Sequence, residues 1–280
     1  MRKLIIACMA ILVYESAVSQ QMKHKKNEEF CIAIQYNHEF VIDGFVRVRE
    51  WELQGDKMKL KDLGMTSYPA IQLYIEKHLQ KKRSISLAYD HYFMRGSATF
   101  DRDITYNGTI IDGRQGIDVS PTVYFRISAM YAGPLLNKRR LDLQYNVGVV
   151  LDHITFYLDG VVVPTSPKTE VLEGFGRQAF PYPVLGLQGR IDLEHNNNIN
   201  VEVSGTYIPK FESFYTEGGN VYLQYSNFQA AVDYSRIVSA VEIALGARFR
   251  YMHLFQESYE DTNIIETVTG GPFVKIVYHF

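Results

Sequence analysis

Leu141-Asp-Leu-Gln-Tyr-Asn-Val-Gly-Val-Val-Leu-Asp152 separates into two interleaved rows. Leu141, Leu143, Tyr145, Val147, Val149 and Leu151 form one, and Asp142, Gln144, Asn146, Gly148 and Asp152 form the other, with Val150 the single apolar exception. A helix would scatter these residues around its circumference. A period of two instead predicts a strand with one apolar and one polar face.

The same pattern recurs on both sides of this stretch. Val241, Ile243, Leu245, Ala247, Phe249 and Tyr251 oppose Glu242, Ala244, Gly246, Arg248, Arg250 and Met252. Ile199, Val201, Val203 and Tyr207 oppose Asn200, Glu202, Ser204 and Thr206, and Leu185, Leu187, Ile191 and Leu193 oppose Gln188, Arg190, Asp192 and Glu194. Earlier copies run through Val123 to Tyr131, Ile85 to Phe93 and Ile71 to Ile75. Two further strands, near 41–53 and 220–234, are less regular. In the second, the apolar parity changes between Tyr225 and Phe228, which predicts a bulge near Ser226 and Asn227.

The connections alternate in length. Short links are expected at 80–83, 134–140, 195–198 and 236–237, and long ones at 54–67, 95–118, 155–178, 209–219 and 256–271. Outer-membrane barrels pair short periplasmic turns with longer extracellular loops and carry an even number of strands. The expected fold is therefore all-β, a transmembrane up-and-down antiparallel barrel of about ten strands with both termini periplasmic. Twelve strands is the alternative, with 30–36 a candidate for an additional one.

Composition and the chain ends point the same way. The chain has 280 residues, a net charge of -2, 46% hydrophobic residues, 20 Tyr and 16 Phe against a single Trp. No clustered basic face suggests nucleic acid, and no apolar run reaches the length of a transmembrane helix. Abundant Tyr and Phe suit the aromatic girdles of a barrel. Arg2 and Lys3, the apolar run from Leu4 to Val13, and the small residues Ala17 and Ser19 form a secretory signal, with maturation expected near Gln20. A lipoprotein reading through Ile6, Ala7 and Cys8 would leave too little apolar length upstream. The expected division is a signal peptide over 1–19, a periplasmic lead over 20–40 containing the basic Lys23, Lys25 and Lys26, and the barrel over 41–280. Cys31 has no partner cysteine in the mature chain and reads as a small buried apolar residue.

At the C-terminus, Val274, Ile276, Tyr278 and Phe280 form an apolar row that ends on the last residue. This ending resembles the C-terminal assembly signal of outer-membrane β-barrel proteins of Gram-negative bacteria. The chain as a whole resembles the small barrels of that group, including OmpW-like channels. The resemblance implies residence in the cell outer membrane, among outer-membrane lipid and lipopolysaccharide. It also implies recognition by the barrel-assembly machinery during insertion.

Slipping the strand around Arg248 and Arg250 by one residue would turn both into lipid, at about 2 to 4 kcal/mol each near the midplane. The polar rows must therefore face inward, which places Glu76, Asp90, Arg126, Asp142, Arg190, Asp192, Glu202, Glu242, Arg248 and Arg250 in the lumen. Their mixed signs favour cross-pairing into a plug over a wide pore.

Asp90 with His91, and Asp152 with His153, could suggest acid and base pairs. Neighbours on a strand point to opposite sides, so the histidines read as belt or rim residues. The acidic loop with Asp101, Asp103, Asp112 and Asp118 has no continuous calcium-ligand pattern. Its Tyr106-Asn107-Gly108 reads as a hairpin turn prolonging the flanking strands. Gly218 with Gly219, and Gly270 with Gly271, sit at expected strand starts. No catalytic residues, cofactor or metal are expected. The leading expectation is a non-enzymatic barrel, either a narrow porin-like or ligand-binding channel or a structural component of the cell envelope, with a small molecule or an envelope protein as partner. A barrel enzyme acting on lipid at the extracellular rim, or a loop-mediated adhesin or receptor, are the alternatives.

Overall fold

The computed structural model describes residues 30–50, 53–168, 181–216 and 220–280. The expected signal peptide lies outside the described residues, as do the basic stretch around Lys25 and the glycine pair Gly218 and Gly219. The described strands are β1 (Phe30–Glu50), β2 (Met58–Lys59), β3 (Ser67–Leu79), β4 (Arg83–Ala98), β5 (Ile104–Tyr106), β6 (Thr109–Ile111), β7 (Ile117–Lys138), β8 (Leu141–Ile154), β9 (Tyr157–Gly160), β10 (Pro181–Asp192), β11 (Asn197–Thr216), β12 (Asn220–Val238), β13 (Val241–Glu257) and β14 (Asp261–His279).

Ten of these are the staves of a closed antiparallel barrel. The sheet runs β14-β13-β12-β11-β10-β8-β7-β4-β3-β1, and β14 pairs with β1 to shut it. At the seam, Cys31 lies opposite His279, Ile34 opposite Ile276 and Glu50 opposite Asp261. The Phe280 backbone N–H donates to the Phe30 carbonyl at 2.9 Å, so the start of the first stave and the end of the last meet at the same rim. That rim carries the tight turns. Lys81, Lys82, His195, Asn196 and Ser239 adopt positive φ there, as short hairpins matched to strand twist require.

Several expectations need correction. β1 begins at Phe30, so the stretch 30–36 is the first third of the first stave and the lead before the barrel is shorter than 20–40. The same sheet also contains β2, paired to β1, and β9, paired to β7 off the main path, but these lie in the connections and do not widen the ring. The connections expected over 209–219 and 256–271 are mostly strand: β11 runs to Thr216, and β13 and β14 leave only 258–260 between them. Gly270 and Gly271 lie inside β14, at the seam. A Cβ on Gly271 would sit 1.8 Å from the His38 carbonyl oxygen, so only glycine lets β1 approach this closely.

The bulge expected near Ser226 and Asn227 is absent. Pairing of β12 with β13 runs unbroken from Tyr222 opposite Glu257 to Val238 opposite Val241. The shift falls on the neighbouring strand, between Ile208 and Phe211, where Pro209 has no N–H to offer the ladder. On β12 the backbone parity never changes; Val221, Leu223 and Tyr225 are apolar and point inward.

The outer wall is an apolar belt. Ile32, Ile34, Tyr36, Phe40, Ile71, Leu73, Leu185, Leu187, Ile243 and Leu245 are all exposed around the ring. At roughly 3.3 Å per residue and a tilt near 40°, the outward row from Ile32 to Ile42 rises about 25 Å, the height of a membrane barrel's apolar band. An encircling patch of this size is not left to water. Aromatic clusters mark its borders. Tyr278 packs against Phe280 with centroids 4.7 Å apart at the periplasmic edge. His91 contacts Phe93 at 4.5 Å and His153 stacks on Phe125 at 4.9 Å towards the other edge.

Candidate functional site

The lumen is built at three levels by the inward rows of the same ten staves. At the extracellular level it is filled by a folded cap. Leu60, Leu63 and Met65 from the 51–66 connection, Ile104, Tyr106 and Ile111 from the β5–β6 hairpin, and Phe156 and Leu158 around β9 are all buried. They pack with the inward residues Val46, Val48, Met94, Val184, Tyr225, Leu254 and Ile265 in one core. Each such side chain stabilises by about 1.5–3 kcal/mol when fully buried.

Polar contacts fix the cap's position. Tyr106 donates its hydroxyl to the Phe156 carbonyl at 2.5 Å, and the Leu60 N–H donates to the Gly44 carbonyl at 3.0 Å. Asn107 and Gly108 make the expected turn with φ of 50° and 72°. The hairpin does not prolong β4 and β7, however; it forms a separate two-stranded sheet folded over the mouth, because Ile104, Tyr106 and Ile111 have an apolar surface to bury. Arg114 stands between the loop aspartates, 2.7 Å from Asp103 and 3.3 Å from Asp112, so its guanidinium supplies the positive charge. The Gln115 amide and the Arg114 backbone N–H donate to Asp112 and hold its carboxyl below the usual carboxylate range.

Beneath the cap lies a layer of tyrosines and buried charges. Arg250 is 1% exposed and lies over the ring of Tyr92, with its guanidinium carbon 4.4 Å from the centroid. Tyr92 stacks on Tyr124 at 4.3 Å, and Tyr124 donates to Met252 Sδ at 3.5 Å. Tyr182 and Tyr225 both donate to Asp152 Oδ2, and Arg126 Nε lies 3.7 Å from Asp152 Oδ1. Arg126 also donates to Gln229 at 3.3 Å. Arg248 Nη1 is 3.9 Å from Asp90 Oδ1, which accepts from Gln72 at 2.9 Å. Glu39 is buried in the same level and interacts electrostatically with Arg250. Three arginines thus face three carboxylates in the buried interior, so each buried charge has one of opposite sign nearby.

The periplasmic level is polar and more open. Gln229 donates to Glu202 at 3.3 Å, Asn200 to Asp233 at 2.7 Å, and Lys275 lies 3.6 Å from Asp233. His279 Nε2 is 3.3 Å from Glu242, and Lys82 is 3.2 Å from Asp142. Arg190 pairs with Asp192 at 3.0 Å, the latter's side chain 54% exposed at the mouth.

The ten charged residues expected in the lumen therefore occupy two levels. Asp90, Arg126, Arg248 and Arg250 join the middle layer; Glu76, Asp142, Arg190, Asp192, Glu202 and Glu242 line the periplasmic vestibule or its mouth. Strand parity had already put Asp152 on the polar face, yet its central role comes only from its tyrosine partners. Glu39 falls in the expected periplasmic lead, and Asp233 in a strand whose pattern is less regular. Asp90 and His91 point to opposite sides of the wall, as do Asp152 and His153. Val274, Ile276, Tyr278 and Phe280 form the outward row of the closing strand, with Phe273 and Val277 buried behind it.

No family model matches the chain, and no curated protein matches it in sequence. Among solved structures it is similar to the outer membrane protease OmpT from Escherichia coli, at 13% identity over 93% of this chain and 99% of that chain, with a TM-score of 0.54. The fold is that of an outer-membrane β-barrel. The translocator domain of the autotransporter NalP from Neisseria meningitidis covers 98% of this chain and 97% of its own at 12% identity, with a TM-score of 0.43. OprG from Pseudomonas aeruginosa covers 90% and 95% at 8% identity, with a TM-score of 0.31. At these identities the likeness is one of architecture, and the chemistry of this barrel rests on its own residues.

Proposed function

We propose that this protein is a closed, non-enzymatic barrel, a structural component of the outer membrane that presents its folded cap to the exterior. The observation that carries this reading is the full burial of Arg250, Tyr92 and Tyr124 across the lumen beneath an apolar cap. A conducting path would have to break both the stack and the cap. The porin-like alternative needs a water-lined passage, which the packed middle layer disfavours.

The catalytic alternatives find little support in the extracellular half. Asp56, Asp103 and Asp112 are engaged by Arg102 and Arg114, and His253 lies 3.4 Å from Glu266 on the outer face. Partners of a sealed barrel are the surrounding lipid and lipopolysaccharide, with the outward row ending at Phe280 as the element offered to the insertion machinery. Planar-bilayer recording tests the reading. The purified barrel is expected to give no sustained conductance, whereas a steady open level would overturn the proposal.

A further inference from the structure

Cys31, Glu76 and His78 meet at the periplasmic mouth because of strand geometry. Pairing of β1 with β3 sets Cys31 directly opposite Glu76, and facing residues hold their Cβ atoms about 5 Å apart. His78 lies two positions further along β3 and so shares the inward face. One donor atom from each residue lies within 4.8 Å of the other two. Sγ of Cys31 is 3.9 Å from Glu76 Oε2, and His78 Nδ1 is 3.6 Å from Oε1. Tyr74 donates its hydroxyl to Oε2 at 2.6 Å, fixing the carboxylate as the outer-shell partner of a metal ligand does. Cys31 is 3% exposed and the His78 side chain 41%, so the group runs from a sheltered thiol to solvent. Among the described residues it is the one group of three or more His, Cys, Asp or Glu donors so placed.

The donor types decide the ligand class. Calcium and magnesium take oxygen donors, whereas sulfur, nitrogen and a single carboxylate oxygen suit zinc. We propose that Cys31, Glu76 and His78 bind a zinc-type divalent cation, with water at the fourth tetrahedral position. Metal bonds of about 2.0 to 2.3 Å place neighbouring donors about 3.5 Å apart. The required contraction is small and falls on the partly exposed His78 and Glu76. Binding replaces the thiol proton, which passes to solvent, and no oxidation state changes. The bound ion clips β1 to β3 beside the seam, where Cys31 also faces His279 of β14. This site is independent of whether the barrel conducts.

The test uses the full chain, without an affinity tag, in detergent. Titration with Co²⁺ reads a thiolate-to-cobalt charge-transfer band, and calorimetry with Zn²⁺ reads stoichiometry. One ion per chain, the band, and a rise in Tm with saturating zinc are expected. Cys31→Ser abolishes the band and the rise, whereas Glu202→Gln, on the inward face away from this group, leaves both. Tyr74→Phe weakens binding about 10- to 100-fold. A band that survives Cys31→Ser, or less than one ion bound by the unaltered chain, overturns the proposal. Should Cys31→Ser fail to assemble, the exposed His78→Ala decides: undiminished affinity there also overturns it.

Discussion

The two halves of the lumen are lined by the same strands at the same parity, yet they are filled by opposite means. On β12 the inward row begins Val221, Leu223, Tyr225 and continues Asn227, Asp233, Ser235, all buried. Above the middle layer the row meets a cap of loops and becomes a hydrophobic core. Below it, the row meets facing polar strands and becomes a network of hydrogen bonds. Alternation therefore reports which side of the wall is lipid, and says nothing about what fills the other side. An apolar residue that breaks the pattern, such as Val150 or Met252, marks where a second element covers the lumen.

The boundary between the halves is the place where substitution should cost most. Asp152→Ala leaves Arg126 without its carboxylate and removes the acceptor shared by the Tyr182 and Tyr225 hydroxyls, and is expected to destabilise the barrel by about 3 to 5 kcal/mol. Urea unfolding in detergent measures this. A loss near zero would mean that the middle layer is hydrated and that the halves are one continuous polar cavity.

The cap itself comes next. Leu63→Ala and Phe156→Ala each remove fully buried side chains, and each is expected to lose about 2 to 5 kcal/mol. These losses should appear as earlier proteolysis of the 51–66 and 99–116 connections while the staves stay protected, because the cap is a separate layer resting on them. Equal loss of protection in the staves would show that the halves fold as one unit.

The outer wall supplies the control for both. Leu245→Arg puts a charge on the exposed belt and is expected to cost about 2 to 4 kcal/mol in lipid. The neighbouring inward position, Ala244, is buried, so the two sites should respond differently to lipid thickness. Matching responses in bilayers of different thickness would contradict the assigned parity.

The smallest effects belong to the two solvated ends. Glu202→Gln in the open vestibule should change stability by about 1 kcal/mol or less, as exposed polar contacts do. The Asp112 carboxyl, held below its usual range by Gln115 and Arg114, favours the ordered turn at and above neutral pH. That contribution is present above the ordinary carboxylate pKa and lost as pH falls through the lowered one. Limited proteolysis of the loop should therefore accelerate only in acid, and Asp112→Asn should remove the pH dependence.

Much of this architecture could be read without coordinates. The rows at Leu141 to Leu151 and Val241 to Tyr251 specified strands and their lipid faces, and the alternation of connection lengths led to ten staves. The errors have separate causes. In Phe30 to Tyr36 the inward row starts with the small apolar Cys31 and Ala33, so it lacks the charge that marks a lumen face. Before Ser226 the inward residues Val221, Leu223 and Tyr225 pack near the extracellular end, where both faces are apolar and period two loses its contrast.

The chain by itself determined a barrel, its even closure and the side of the wall on which each regular charge sits. These follow from local backbone geometry, since successive strand residues point to opposite sides and charge is excluded from hydrocarbon. Only the closed structure decided that Arg250 meets Tyr92, that Asp152 collects two tyrosines and that Cys31 stands opposite Glu76. Those contacts join strands far apart in sequence. They depend on the order and stagger with which the ring shuts, and no periodicity within one strand carries that information.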